Sequence, residues 1–173
     1  EGLAPAIVRE LTGGVYFGGG CQLQHVERDA ALAWRQQALD EQIRLTHALD
    51  ELPWVAPLRS PREQYRRKTR LAIDARKGKP LALGFRAPKS DKVVNVRHCP
   101  VLEPELNNLL PLLHELLEQL SGRAAIGHIS LLKGHNGIGV TLRCTRALST
   151  DDRALLVAFA EAQTLLLRLD SGE

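Results

Sequence analysis

Tyr65-Arg66-Arg67-Lys68-Thr69-Arg70-Leu71-Ala72-Ile73, a turn at Lys77-Gly78-Lys79, and Leu81-Ala82-Leu83-Gly84-Phe85 form the stretch whose reading decides the fold. Basic residues alternate, imperfectly, with Leu71 and Ile73, the two-residue period of a strand with one wet and one buried side. The glycine between two lysines supplies a turn, so the segment predicts a β-hairpin. After a loop at Pro88 to Asp91, Val93, Val94 and Val96 predict a third strand ending at His98-Cys99-Pro100.

Downstream, Leu102, Leu106, Leu109, Leu110, Leu113, Leu117 and Leu120 recur at helical spacing and line one face. Pro111 either kinks that helix or moves its start, because proline has no N–H to donate. A second hairpin is expected from Ile126–Leu132 and Ile138–Cys144 through Asn136-Gly137, residue types that tolerate positive φ. Ser149, three residues before Asp152, reads as the cap of a short helix that buries Leu155, Leu156 and Phe159, and 164–169 closes as a strand. The fold class is therefore α+β, a mostly antiparallel sheet with interspersed helices.

Upstream, residues 26–52 hold no Gly or Pro, and Leu32, Leu39, Ile43 and Leu49 recur near helical spacing, which predicts one long helix. Pro53, Pro57 and Pro61 end it. The glycine groups Gly13-Gly14 and Gly18-Gly19-Gly20 predict a loop or frayed lead-in. The expected organisation is a lead-in over 1–18, a segment over 19–58 that contains the long helix, and a main α/β domain over 59–173.

With 173 residues, 44% of them apolar, the chain can bury a sizeable core. No apolar run is long enough for a membrane span and no secretory leader is visible, so a cytoplasmic protein with no membrane partner is expected. Three scattered cysteines make no disulfide framework. The net charge of +3 conceals a segregation: residues 59–98 hold thirteen Arg and Lys against three acids, +10, leaving ten basic and seventeen acidic groups elsewhere, −7. Such a basic segment suits a polyanion. Arg66, Arg67, Lys68 and Arg70, with Arg86 and Lys89, are the candidate phosphate contacts; Phe85 either stacks on an unpaired base or packs in the core.

Several motifs, in shared order, carry a resemblance. They are Gly19-Gly20-Cys21-Gln22-Leu23-Gln24-His25, Tyr65-Arg66-Arg67-Lys68 with Arg70, Leu83-Gly84-Phe85-Arg86, Val94-Asn95-Val96, His98-Cys99-Pro100-Val101-Leu102, and Ala147-Leu148-Ser149. From Gly19 to about Asp170 the chain resembles the iron-sulfur and central RNA-binding region of the 23S rRNA uracil-C5 methyltransferases. The resemblance implies a relative of S-adenosylmethionine-dependent enzymes that carry a [4Fe-4S] cluster. It also implies rRNA as partner and places the family's catalytic domain outside this sequence, so a truncated form without methyl transfer of its own, and without catalytic residues, is expected.

The family's cluster pattern, C-x5-C-G-x-C with a distant cysteine before proline, places Cys21 third and Cys99 fourth, a remnant of a metal site. Gly18 and Thr12 stand at the other two positions, so no cofactor is expected in this chain. Residues 9–18 resemble a segment of 3-isopropylmalate dehydrogenase, in which Arg9 and Tyr16 match substrate-binding and catalytic residues; a chimeric lead-in is the expectation.

Two further readings come from the residues alone. Cys21, His25, His98 and Cys99 compose a zinc-type ligand set, although adjacent residues in extended chain point apart. Cys144 reads as a small core residue. As an alternative function, the chain is a protein-interaction module with a recruited role and no RNA function, acting through the leucine-lined helix 102–120 or an exposed apolar face, and self-association through such a face is the partner it implies.

Overall fold

The structure, a computed structural model, describes residues 26–47, 51–61, 63–87 and 89–171, and it divides into two compact units that meet in sequence at Ser60 and Pro61. The expectations for 1–18, the Gly19–His25 motif with Cys21, and Leu49 lie outside the described residues.

In the first unit, helix α1 spans Arg28–His47. The Glu27 carboxylate starts it by accepting the N–H groups of Asp29 (2.7 Å) and Ala30 (3.1 Å). Apolar and polar residues are mixed along the helix, and Ala31 is its one buried side chain. Leu39, one of the residues whose spacing predicted the helix, is 47% exposed. Residues 51–60 form neither helix nor strand and are tied to α1 by polar groups: Trp54 Nε1 donates to Asp40 at 2.8 Å, Arg59 pairs with Asp29 at 2.7 Å, and Arg28 donates to the Ser60 carbonyl at 2.6 Å.

The second unit is a six-stranded sheet in the order β3-β2-β1-β4-β5-β6. Its strands are β1 (Lys68–Asp74), β2 (Ala82–Arg86), β3 (Val93–Asn95), β4 (Ile126–Lys133), β5 (Ile138–Cys144) and β6 (Leu165–Asp170). All pairings are antiparallel except β5 with β6, which run parallel because helix α3 (Thr150–Ala162) carries the chain back between them. Gly78, at φ +82°, and Gly137, at φ +144°, sit in the β1–β2 and β4–β5 hairpin turns.

Helix α2, Pro104–Gln119, begins at Pro104, where the missing N–H costs nothing, and runs on through Pro111. Its leucine stripe meets the inward residues of the sheet. Leu106, Leu110, Leu113 and Leu117 are wholly buried with Leu71, Leu83, Ile129 and Leu131. Each such side chain contributes about 1.5–3 kcal/mol of burial, so this one-sided core dominates the fold. Asn107, also buried, accepts the Cys99 N–H and donates to the carbonyls of Cys99 (2.7 Å) and Leu102 (3.2 Å), fixing the loop that leads into α2. Among the described residues, no helix is long and apolar enough to cross a membrane.

Ser149 caps α3 as expected, its hydroxyl accepting the Asp152 N–H at 3.1 Å. The Asp152 side chain does more than the sequence suggested. Though only 2% exposed, it accepts the N–H groups of Ser121 (2.8 Å) and Gly122 (2.9 Å), tying the end of α2 to the start of α3. Burial alone would raise this carboxyl, but those two N–H bonds, with the Ser121 and Ser149 hydroxyls, outweigh it and hold the group below its ordinary value. A carboxyl lowered in the folded state stabilises fully above its unfolded value of about 3.9, and the contribution disappears as pH falls through the folded value. Asp152→Asn should therefore destabilise by about 1.5–3 kcal/mol at neutral pH and flatten the acid limb of stability, read by urea unfolding across pH.

Gly84 is required by close approach, since an added Cβ would lie 2.0 Å from the Val94 carbonyl oxygen of β3. Gly84→Ala should cost roughly 1–3 kcal/mol in the same unfolding measurement as β3 is forced away.

Candidate nucleic-acid interface

Because α2 and α3 pack on one side of the sheet, the alternate residues of each strand face the other side. The pairing aligns these outward residues in rows. Arg70 stands opposite Ser130, then Thr141, then Arg168; Ala72 stands opposite His128, then Arg143, then Asp170. On the other flank, Ala72 pairs with Gly84 and Arg86 with Val93. Lys68, Arg70, Arg86, Arg143 and Arg168 are all exposed. Five cations thus lie on one open sheet face.

Their neutralisation is partial. Arg86 pairs with Asp91 at 2.6 Å, but that carboxylate is 98% exposed and strongly screened by water. Arg143 lies 3.4 Å from Asp170. Among the described residues, Lys68, Arg70 and Arg168 form no ion pair. A shallow cleft of about 230 Å³ opens in the face, lined by Arg70, Ala72, Gly84, Phe85, Arg86 and His128. His128 follows an irregularity of β4 between Ile126 and His128. Partial burial, with the charges of Arg70, Arg86 and Arg143, pushes its imidazole below the usual value.

The basic residues singled out from the sequence are divided by this geometry. Lys68, Arg70 and Arg86 share the open face. Arg66, exposed, precedes β1 and forms a bridge with Leu102 through its main chain. Arg67 has the opposite strand parity and lies 3.7 Å from Glu103, at the start of α2, where Lys133 also pairs with Glu103 (2.7 Å) and Glu105 (2.5 Å). Arg67 is thus held in a local acid–base cluster. Lys89 is exposed in the β2–β3 loop at φ +52°. Phe85 packs partly buried against the core and is also among the residues that line the cleft.

Sequence reasoning missed His128, Arg143 and Arg168. The signal for the first two was the alternation His128, Ser130 in β4 and Thr141, Arg143 in β5. Aligning it with Arg70 requires the β1–β4 pairing, which joins residues some sixty apart.

The chain's thiols do not fit the cluster that the resemblance implies. A [4Fe-4S] cluster takes four thiolates, and this chain has three cysteines. Cys99 and Cys144 are both buried in the apolar core. Burial and the nearby Asp170 push the Cys144 thiol up, keeping it protonated. Of the zinc-type set, Cys21 and His25 lie outside the described residues. His98 is exposed while Cys99 is 2% exposed, and among the described residues no group of three or more His, Cys, Asp or Glu could hold a metal ion. The parallel unit β5-α3-β6 turns into its helix through Thr145-Arg146-Ala147-Leu148-Ser149, with no glycine to bring a nucleotide-type cofactor against the backbone, so S-adenosylmethionine has no fitting cradle there.

No protein-family model matches the chain. It is 40% identical over 154 residues to the 23S rRNA (uracil(1939)-C(5))-methyltransferase RlmD of Alteromonas naphthalenivorans, covering 89% of this chain and 33% of that protein. RlmD of Alteromonas mediterranea is 44% identical over 155 residues (90% and 32%), and RlmD of Vibrio cholerae serotype O1 is 43% identical over 158 residues (90% and 36%). In fold it is similar to the Pyrococcus abyssi tRNA (uracil-54, C5)-methyltransferase, with a TM-score of 0.59, 21% identity, and coverage of 88% of this chain and 35% of that one. None of these relatives is a dehydrogenase, and the resemblance of residues 9–18 to one is unsupported. The chain is therefore similar along nine-tenths of its length to RlmD-type 23S rRNA uracil-C5 methyltransferases, and it spans about a third of their length.

Proposed function

We propose that this segment is an RNA-holding part of a 23S rRNA uracil-C5 methyltransferase of the RlmD type, and that it binds rRNA across the open face of its sheet. The observation that carries this reading is the set of five exposed cations, Lys68, Arg70, Arg86, Arg143 and Arg168, on the sheet face opposite α2 and α3. Arginine forks suit phosphate oxygens, and a row of them across neighbouring strands follows a backbone rather than a single small ligand. The similarity to rRNA-modifying relatives gives the polyanion its chemical class. Of the residues singled out from the sequence, Lys68, Arg70 and Arg86 are assigned phosphate contact. Arg66 and Lys89 are assigned to the margins. Arg67 serves the fold through Glu103. Methyl transfer is not assigned to any residue of this segment.

A second reading, self-association, is favoured by the outer edge of β6, where Leu166 is 74% and Leu169 37% exposed. Among the described residues β6 is an edge strand, and an apolar edge strand is a ready site for strand addition.

Fluorescence anisotropy of a labelled rRNA hairpin over a salt series separates the two. Affinity should fall steeply from about 50 to 200 mM salt, and each phosphate contact removed should flatten the log–log slope by about 0.7–0.9. A Lys68→Ala, Arg70→Ala, Arg168→Ala variant, checked for folding by circular dichroism, should lose about two to three such increments. Equal slopes for the two proteins would overturn the assignment of this face. Concentration-dependent dimerisation without RNA binding would favour the β6 edge.

A further inference from the structure

The cleft within the cationic face has features that simple phosphate tracking does not need. Its floor is the register pair Ala72 and Gly84, both small residues of the sheet face, and its walls are Arg70 from β1, Arg86 from β2 and His128 from β4. At about 230 Å³ it is smaller than the ~300–1,000 Å³ typical of sites for drug-sized ligands, so a group the size of one phosphate fits it better than a nucleoside does. Arg70 has no ion pair among the described residues, and the one partner of Arg86 is the almost fully exposed Asp91.

Resting on the RNA-binding reading above, we propose that one internal phosphodiester of the bound RNA occupies the cleft between Arg70, Arg86 and His128, and that His128 takes up a proton from solvent as it does so.

The charged groups around the imidazole make the linkage. Arg70, Arg86 and Arg143 surround it from β1, β2 and β5, and together with partial burial they disfavour a fourth positive charge. The acids close to this set, Asp91 on Arg86 and Asp170 on Arg143, each already engage an arginine. Without RNA, His128 is therefore neutral at neutral pH and offers one ring N–H. A phosphodiester in the cleft cancels the repulsion and gains from a second charged donor, so its binding raises the proton affinity of the ring. By reciprocity, protonation strengthens RNA binding by the same factor, and affinity rises as pH falls through the histidine range. A phosphodiester keeps a single charge throughout that range, whereas a phosphomonoester loses its second proton near about pH 6. The pH dependence of an RNA without terminal phosphate therefore reports the protein.

The test uses the full chain and a hairpin RNA bearing a 5′-hydroxyl, with affinity measured from about pH 8 to about pH 5 at fixed salt. One unit of rise in imidazole pKa on binding corresponds to about a tenfold gain in affinity. We expect a gain of about threefold to tenfold for the wild type and a flat profile for His128→Gln, which still binds at pH 8. The chain's other histidines are common to both proteins, so the difference isolates His128. NMR titration of the His128 ring in the wild type, with and without RNA, reads the same linkage without a substitution and should show its pKa rising on binding. RNA binding with the same pH profile in both proteins, or an unmoved ring pKa, overturns the proposal while leaving the RNA surface intact. A requirement for a 5′-phosphate overturns the internal phosphodiester. Absence of salt-sensitive RNA binding at every pH defeats the RNA-binding reading itself, and this inference with it.

Discussion

The burial of one leucine stripe against one side of one sheet is the constraint on which the second unit depends. Leu106, Leu110, Leu113 and Leu117 of α2 are fully enclosed by Leu71, Leu83, Ile129, Leu131 and their neighbours. A sheet covered on one face must alternate apolar and polar residues along every strand, and a slip of one residue would exchange the two sets. The same packing that removes Leu71 and Ile129 from water therefore holds Arg70, His128 and Arg143 outward in adjacent strands. The polar face is a consequence of the core, held in place by it.

Charge is distributed along the same division. On the helix side, Glu103 and Glu105 at the start of α2 engage Arg67 and Lys133, neutralising local cations and joining α2 to β4. Negative groups near a helix start are also favoured by the helix dipole. On the open side, three of the five cations have no carboxylate partner among the described residues. Neighbouring residues of one basic run, Arg67 and Lys68, thus end in opposite electrostatic settings because strand geometry sends them to opposite faces.

Much of this architecture was legible in the sequence. Both hairpins, the leucine helix and the Ser149 cap follow from local rules: two-residue alternation, helical spacing, glycine in turns and a hydroxyl three residues before a free N–H. What stayed hidden depends on long-range pairing. The parallel placement of β6, the role of Asp152 as a bridge to Ser121 and Gly122, and the convergence of His128 with Arg70 and Arg86 each join residues some thirty or more apart, or strands without a local turn. The basic run was conspicuous by composition alone, but composition does not separate the outward Arg70 from the paired Arg67. Along α1 the spacing of Leu32 and Leu39 predicted the helix but not its burial: Ala31 is its one buried residue and Leu39 is 47% exposed.

The central claim is that RNA is held on the side of the sheet opposite α2 and α3. Amide chemical-shift mapping by NMR during titration with an rRNA hairpin addresses it most directly, because it reports every strand and helix at once. The account predicts that the largest shifts fall on Arg70, Arg86, His128, Arg143 and Arg168 and fade towards α2 and α3. Shifts concentrated on α2, α3 or α1, with the open-face strands unchanged, would contradict it.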